Sequence, residues 1–231
     1  MVFKAIVIAV LGGFICLDRI VLQGMVSRPV VTGPIIGFIL GDAYTGLIVG
    51  ALMELFWIDR SPIGAYVPPN DTLATVVIAA AAILVGQSMG ATSRELVALT
   101  FLLCLPAGLL GQRLDIWKTA RNERRARLAL NEVQAGDMDA VSRRHHQSLL
   151  QAYLGDVVLI GVILLPATLF LGWIYPFFPL PFMKTLLVVY FLLPVLGVGV
   201  ALNTIHVRGV IPVFCGLFLT MNVVLELFRF V

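Results

Sequence analysis

The sequence predicts an all-α polytopic membrane protein, with about six to eight transmembrane or re-entrant helical segments, some of them broken helices and hairpins. Two observations carry this. The 231 residues are 60% hydrophobic and only 13% charged, with a mean hydropathy of +1.00, whereas a soluble globular chain is about half apolar and a quarter charged. The apolar residues also fall in blocks of bilayer length, so the surface they build faces lipid.

The first block, Val2 to Leu17, ends at Asp18-Arg19. No small-x-small cleavage site follows it, so it is expected to be retained as a membrane segment rather than removed as a signal. The second block, Val30 to Ile58, is broken by Gly41-Asp42. Its halves would be roughly 17 and 24 Å long at 1.5 Å per residue, and neither spans a hydrocarbon core of about 30 Å. Gly33, Gly37 and Gly41 recur every fourth residue, and Gly46 and Gly50 repeat the spacing. Such a stripe lets helix backbones approach closely, within the chain or between subunits.

Pro68-Pro69-Asn70-Asp71 then stops any helix, because proline lacks a donor and clashes with the preceding turn. Leu73 to Met89 and Leu96 to Leu110 are the next apolar runs, the latter carrying Pro106 and leading to Trp117 at an expected interface. Three more blocks follow near the C-terminus: Leu149–Phe178, Phe182–Leu202 and Val207–Leu227. Trp173 and Tyr175 suggest another interface at the end of the first of these. Residues 1–231 are read as a single membrane domain.

Between the two halves lies a polar segment, about 112–147. Arg113 to Arg144 holds eight of the sixteen Lys and Arg residues, which places this loop in the cytoplasm by the positive-inside rule. Lys118–Gln134 reads as a helix leaving the membrane, with Glu123 and Arg127 paired at i, i+4. Ala135-Gly136-Asp137 ends it, and Asp139 or Ser142 is placed to cap the next helix. No nucleic-acid partner is expected, since the basic residues form no folded recognition element; solvation beside the headgroups of the lipid bilayer accounts for them. Cys16, Cys104 and Cys215 are far apart in apolar runs, with no metal-ligand spacing, and are expected to be packing residues. No metal or cofactor site is read in the sequence.

The segment from Arg28 to Ala74 carries a recognisable series: Arg28-Pro29, Gly37, Gly41-Asp42, Thr45-Gly46, Glu54, Ile63-Gly64-Ala65, Pro69-Asn70 and Leu73-Ala74. It resembles the IIC subunit of mannose/fructose/sorbose-family phosphotransferase system (PTS) permeases. Looser likeness continues through Gly86-Gln87-Ser88, Gly136-Asp137, Leu149 to Ala152 and Ala201-Leu202-Asn203. Asn70 stands where several family members have Asp, with an Asp displaced to Asp71.

The resemblance implies a sugar-translocating subunit in the bacterial inner membrane, multi-pass and oligomeric, working with a IID membrane subunit. It also implies cytoplasmic IIA and IIB phosphocarriers that relay a phosphoryl group onto the sugar, and an elevator-like mobile core. The chain itself would then be a permease subunit and not an enzyme, with no catalytic residue.

Charged residues at membrane depth cost about 2.5–3.5 kcal/mol on insertion scales and therefore face a cavity or a partner. Asn70 and Asp71 are the first candidates for sugar contact, since hydroxyl-rich ligands need short acceptors and amides beside a freed backbone. Asp71 capping a helix from Thr72 is the compatible structural reading. Glu54 is a further candidate, with an ion pair to Arg60 as its alternative. Gln87 and Asn203 supply donor and acceptor together, as a hydroxyl ligand requires, or else bridge helices. Asp42 reads as a turn and cap residue. His145-His146 point about 100° apart on a helix and read as a solvated face rather than a phosphate acceptor.

Three functions compete: a PTS permease subunit moving a hexose or related sugar, a degenerate IIC-like membrane scaffold, and an uncoupled small-solute permease. The intramembrane breaks favour transport over a scaffold.

Overall fold

The computed structural model describes residues 1–60, 64–204, 209 and 212–220. Every regular element among them is helical. In chain order these are α1 (Val2–Leu17), α2 (Pro29–Leu40), α3 (Ala43–Trp57), α4 (Asp71–Ser88), α5 (Arg94–Cys104), α6 (Ala107–Gln134), α7 (Ala140–Ile174) and α8 (Leu180–Asn203), with a 3₁₀ turn at Tyr175–Phe177 before α8. Residues 212–220 are also helical; the rest of the apolar block expected at Val207–Leu227 lies outside the described residues, as does Ile63 of the motif series.

Four helical runs among the described residues are long and apolar enough to cross a membrane: Asp71–Ser88, Arg94–Gln134, Ala140–Phe177 and Leu180–Asn203. α4 is the central one. It is apolar on every side and buried almost throughout, and it packs against α1, α2, α3, α5, α6 and α7. Ala79 to Ala82 in its middle keep it slim enough for that many neighbours. α7 and α8 are the opposite case, with most of their apolar side chains on the outside, Val158, Val162 and Leu169 among them. In a multi-pass protein this outward face meets lipid tails.

The broken block folds back on itself. α2 ends where Gly41 takes φ +87°, a left-handed conformation that glycine adopts without Cβ strain. Asp42 then caps α3, accepting from the Thr45 N–H at 3.0 Å and the Thr45 hydroxyl at 2.6 Å. The two short helices lie back to back. A Cβ on Gly33 would meet the Gly46 carbonyl and the Gly50 backbone, and one on Gly50 would meet the Pro29 carbonyl, all inside 3.0 Å. The glycine stripe expected to serve packing within or between subunits is therefore used inside the chain. Between helices in lipid there is no hydrophobic drive, so close backbone packing of this kind supplies the attraction.

The polar segment at 112–147 is a helical hairpin, and the helix expected over Lys118–Gln134 begins earlier, at Ala107. α6 runs without interruption to Gln134, Gly136 takes φ +97°, and α7 begins at Ala140. Asp139 occupies the capping position of α7, but its side chain makes no cap, and Ser142 lies inside the helix. Arg143 instead joins Glu132 and Asp137 across the turn, at 3.3 and 2.7 Å, and Arg144 also pairs with Glu132. The Glu123–Arg127 pair forms as expected, at 2.6 Å.

Two smaller expectations are corrected. Trp173 is exposed, but Tyr175 is buried against α5, its hydroxyl 2.6 Å from that of Ser93. Cys16 and Cys104 are buried packing residues, whereas Cys215 is exposed.

Candidate functional site

Four helix ends converge at one end of the bundle: the C-terminus of α1, the N-terminus of α2, the C-terminus of α3 and the N-terminus of α4. Asp18 organises the turn between α1 and α2. Its carboxylate accepts from the N–H groups of Gly24 and Ser27, at 2.8 and 3.0 Å, and from the Ser27 hydroxyl at 3.1 Å. The Thr72 hydroxyl then donates to the Ser27 carbonyl at 2.6 Å, which docks this turn on the start of α4 and brings Arg19 and Arg28 to its side.

At that start, Asn70 and not Asp71 is the cap. The Asn70 side-chain oxygen accepts from the Leu73 N–H at 2.9 Å, and its amide donates to Asp115 of α6 at 3.0 Å. Its own N–H donates to the Gly108 carbonyl at 2.9 Å. With its donors and acceptor engaged and the residue buried, Asn70 joins α4 to α6. Asp71 sits in the first turn, where a carboxylate is favoured by the helix dipole. It accepts from the Thr72 N–H at 2.8 Å and from Arg19 at 3.2 Å, and its side chain remains 31% exposed.

Glu54 does not pair with Arg60. It accepts from Arg28 at 2.7 Å and from the Val30 N–H at 3.4 Å, while Arg60 pairs with its neighbour Asp59 at 3.3 Å. Arg28 immediately precedes α2, and α2 lies antiparallel to α3, so the hairpin places Arg28 beside Glu54 near the end of α3.

Asp71 and Glu54 thus face one cavity of 190 Å³, with Arg19, Arg28 and Trp57 also in its lining. Ligand pockets for drug-sized molecules run from about 300 Å³ upward; this one suits a single small polar ring. Two carboxylates accept hydroxyl protons, three guanidiniums donate, that of Arg60 included, and an indole offers an apolar face.

The remaining sequence candidates lie apart from it. Gln87 is at the far end of α4, roughly 24 Å from Asp71 at 1.5 Å per residue. It bridges helices, donating to the Leu40 carbonyl at the end of α2 and accepting from Lys4 at 2.9 Å. Asn203 is the last residue of α8 and is exposed. Gly197, further back on α8, packs on Leu55 and Phe56 of α3; Asn203 is therefore at the same end as Glu54, but it does not line the cavity.

Sequence reading missed what lies behind Asn70. Lys118 donates to Asp115 at 3.0 Å and to Asp156 of α7 at 2.5 Å, so a chain of charged groups runs from Asn70 through α6 into α7. Its signal in the sequence is faint: Asp115 and Lys118 share one face of α6 at i, i+3, and Asp156 interrupts an apolar run.

The fold and this cavity define a multi-pass helical membrane protein with a charged pocket among broken helix ends. The model of the PTS system sorbose-specific IIC component matches residues 2–229, and the chain belongs to that family. It is 31% identical over 126 residues to the PTS system mannose-specific EIIC component of Escherichia coli (strain K12), over 54% of this chain and 44% of that one. It is 46% identical over 55 residues to the N-acetylgalactosamine permease IIC component 1 of the same strain, over 22% of this chain and 21% of that one. The matched regions thus span less than half the length of these relatives. Among solved structures, one titled "Structure of membrane protein" superposes with a TM-score of 0.69 at 22% identity, covering 96% of this chain and 85% of that one. A mannose transporter ManYZ and Microcin E492 (MceA) complex superposes with a TM-score of 0.59 at 21% identity and the same coverage. At these identities the likeness is one of fold.

Proposed function

We propose that this chain is the sugar-translocating subunit of a mannose-family PTS permease in a bacterial inner membrane. It moves a hexose or related sugar together with a IID partner, and cytoplasmic IIA and IIB subunits carry the phosphoryl group. The observation that carries this reading is the convergence of Asp71, Glu54, Arg19, Arg28 and Trp57 on one small cavity at the ends of four helices. Charged groups beside apolar helix runs are kept where they face a ligand or one another. Here they do both: each carboxylate has an arginine partner, and each partly exposed pair keeps lone pairs and donors turned to the cavity.

The site end also faces the basic hairpin. α6 passes Asn70 at Gly111 to Asp115 and continues to Gln134, roughly 28 Å further at 1.5 Å per residue. With that hairpin in the cytoplasm, the cavity opens on the side where a sugar would meet its phosphoryl donor. The scaffold alternative has no use for such a cavity, and the uncoupled permease remains the second reading.

The test is direct binding of radiolabelled mannose, fructose, sorbose and N-acetylgalactosamine to the purified chain with its IID partner. Saturable binding of at least one, lost in Asp71→Ala with the protein still folded, supports the proposal. Uptake in cells lacking IIB without phosphorylation of the sugar would favour the uncoupled permease. Folded protein that binds none of the four would favour the scaffold.

A further inference from the structure

A groove between α6 and α7 holds 790 Å³. Its lower part is apolar, walled by Leu154, Val158 and Val162 of α7, one stripe at i, i+4 and i+8. Its upper part is basic, with Trp117, Arg121 and Arg125 of α6 forming a second stripe along the facing helix.

The arginines here lack the acid partners that brace the turn of the hairpin. Arg127, Arg143 and Arg144 each have an acid partner, and Lys118 has two. Arg121, Arg124 and Arg125 have none among the described residues. Arg121 lies over the Trp117 ring at 5.0 Å from its centroid. Arg125 donates to the Gln147 carbonyl and the Ser148 hydroxyl, both at 3.3 Å, which draws its guanidinium across the groove toward α7. Arg124 joins Arg121 and Arg125 in an adjoining hollow just above. Trp117 is half-exposed at the level where α6 turns from apolar to charged, the depth at which indoles sit in a bilayer interface.

We propose that this groove is a binding site for an anionic phospholipid. One acyl chain lies along Leu154, Val158 and Val162, and the headgroup phosphate is held by Arg121 and Arg125, with Arg124 close by. Guanidiniums match phosphate oxygens in a planar fork. A cationic cluster without counter-charge at an interface draws anionic lipid from the surrounding leaflet. A soluble phosphorylated partner would use the arginines but leave the apolar wall uncovered, so the full set of residues fits a lipid better than a protein.

The experiment uses the full chain, alone and co-purified with its IID partner, in nanodiscs of phosphatidylcholine doped with phosphatidylglycerol brominated on its acyl chains. Bromine quenches a nearby indole, and Trp117→Phe identifies the signal of Trp117 against Trp57 and Trp173. The expected result is Trp117 quenching by brominated phosphatidylglycerol that half-saturates at about tenfold lower mole fraction than with brominated phosphatidylcholine, the scale set by two or more interfacial arginines. Arg121→Gln with Arg125→Gln removes the preference, whereas Arg127→Gln, whose residue is already paired with Glu123, keeps it. Val158→Phe fills the apolar wall without adding an indole and abolishes site-like saturation while leaving every charge in place.

Inorganic phosphate at high concentration weakens the preference for phosphatidylglycerol but leaves Trp117 quenching by the brominated acyl chain in place, since it competes for the arginines and cannot occupy the apolar part. Equal half-saturation for both lipids, complete loss of quenching in free phosphate, or loss of the preference when IID is bound would each overturn the proposal. The last would identify the groove as a subunit contact.

Discussion

Lys118 and Asp156 form an ion pair of 2.5 Å between α6 and α7, with side chains 5% and 1% exposed. Lys118 is shared with Asp115, whose other oxygen holds the Asn70 amide. The cap of α4 is therefore braced from two helices away.

This arrangement predicts an asymmetry. Lys118→Met leaves Asp156 buried without a partner, which costs about 3–5 kcal/mol, and also strips one contact from Asp115. Asp156→Asn leaves Lys118 still paired with Asp115 and should cost much less. Thermal unfolding of the purified protein should rank them in that order, with Lys118→Met plus Asp156→Leu recovering part of the loss. Equal damage from both single variants would mean that Asp115 does not support Lys118.

Asn70 and Asp71 are adjacent yet should fail differently. Asn70→Ala removes the α4 cap and leaves Asp115 short of a donor, about 1–3 kcal/mol by either route, so folded yield falls along with binding. Asp71→Ala removes only a partly exposed pair with Arg19. It should fold as wild type while sugar affinity drops roughly ten- to a hundredfold, the equivalent of one charge-assisted hydrogen bond. Normal binding by folded Asp71→Ala would move the site away from this cavity.

The α2–α3 hairpin should reject side chains. Gly46→Leu drives new atoms into the backbone of Gly33 and Gly37. Backbone cannot rotate away as a side chain does, so the cost exceeds the about 1–3 kcal/mol usual for overpacking. Gly172→Leu, with nothing within 4 Å of its added Cβ, is the control. Monodispersity on size exclusion should be lost in the first and kept in the second.

Topology can be read at Met138, 77% exposed in the turn between α6 and α7. Met138→Cys, in a background carrying Cys215→Ser, should react with a membrane-impermeant maleimide only after cells are opened. Labelling of intact cells from outside would invert the orientation, and with it the side on which the cavity opens.

The same turn should respond to acid. The hydrogen bond from Arg143 holds the Asp137 carboxyl below its usual value of 3.8, and that from Arg144 holds Glu132 below 4.5. A depressed folded-state pKa stabilises above the unfolded value, and the contribution is lost as pH falls through the folded one. Amide exchange across 132–144, corrected for intrinsic rates, should be constant from pH 7 to 5 and rise below about pH 4. Exchange that stays constant down to about pH 3 would show that neither ion pair braces the turn.

Much of the architecture was legible in the sequence because its signals are local. Hydropathy runs mark the helices, Gly41-Asp42 breaks the second block because a left-handed glycine ends one helix and a capping side chain starts the next, and Pro68-Pro69 fixes where α4 must start. The basic hairpin and the Glu123–Arg127 pair follow from spacing alone. Pair identities did not. Glu54 meets Arg28 rather than the nearer Arg60, Asn70 reaches Asp115, and Lys118 reaches Asp156, across 26, 45 and 38 residues of chain. A side chain reaches only a few ångströms, so its partner is whichever helix end packing brings within that distance. Composition and periodicity specify that a charge in an apolar block needs a partner; only the packing of α1 to α4 against α6 and α7 decided which one, and left Asp71 and Glu54 facing the same cavity.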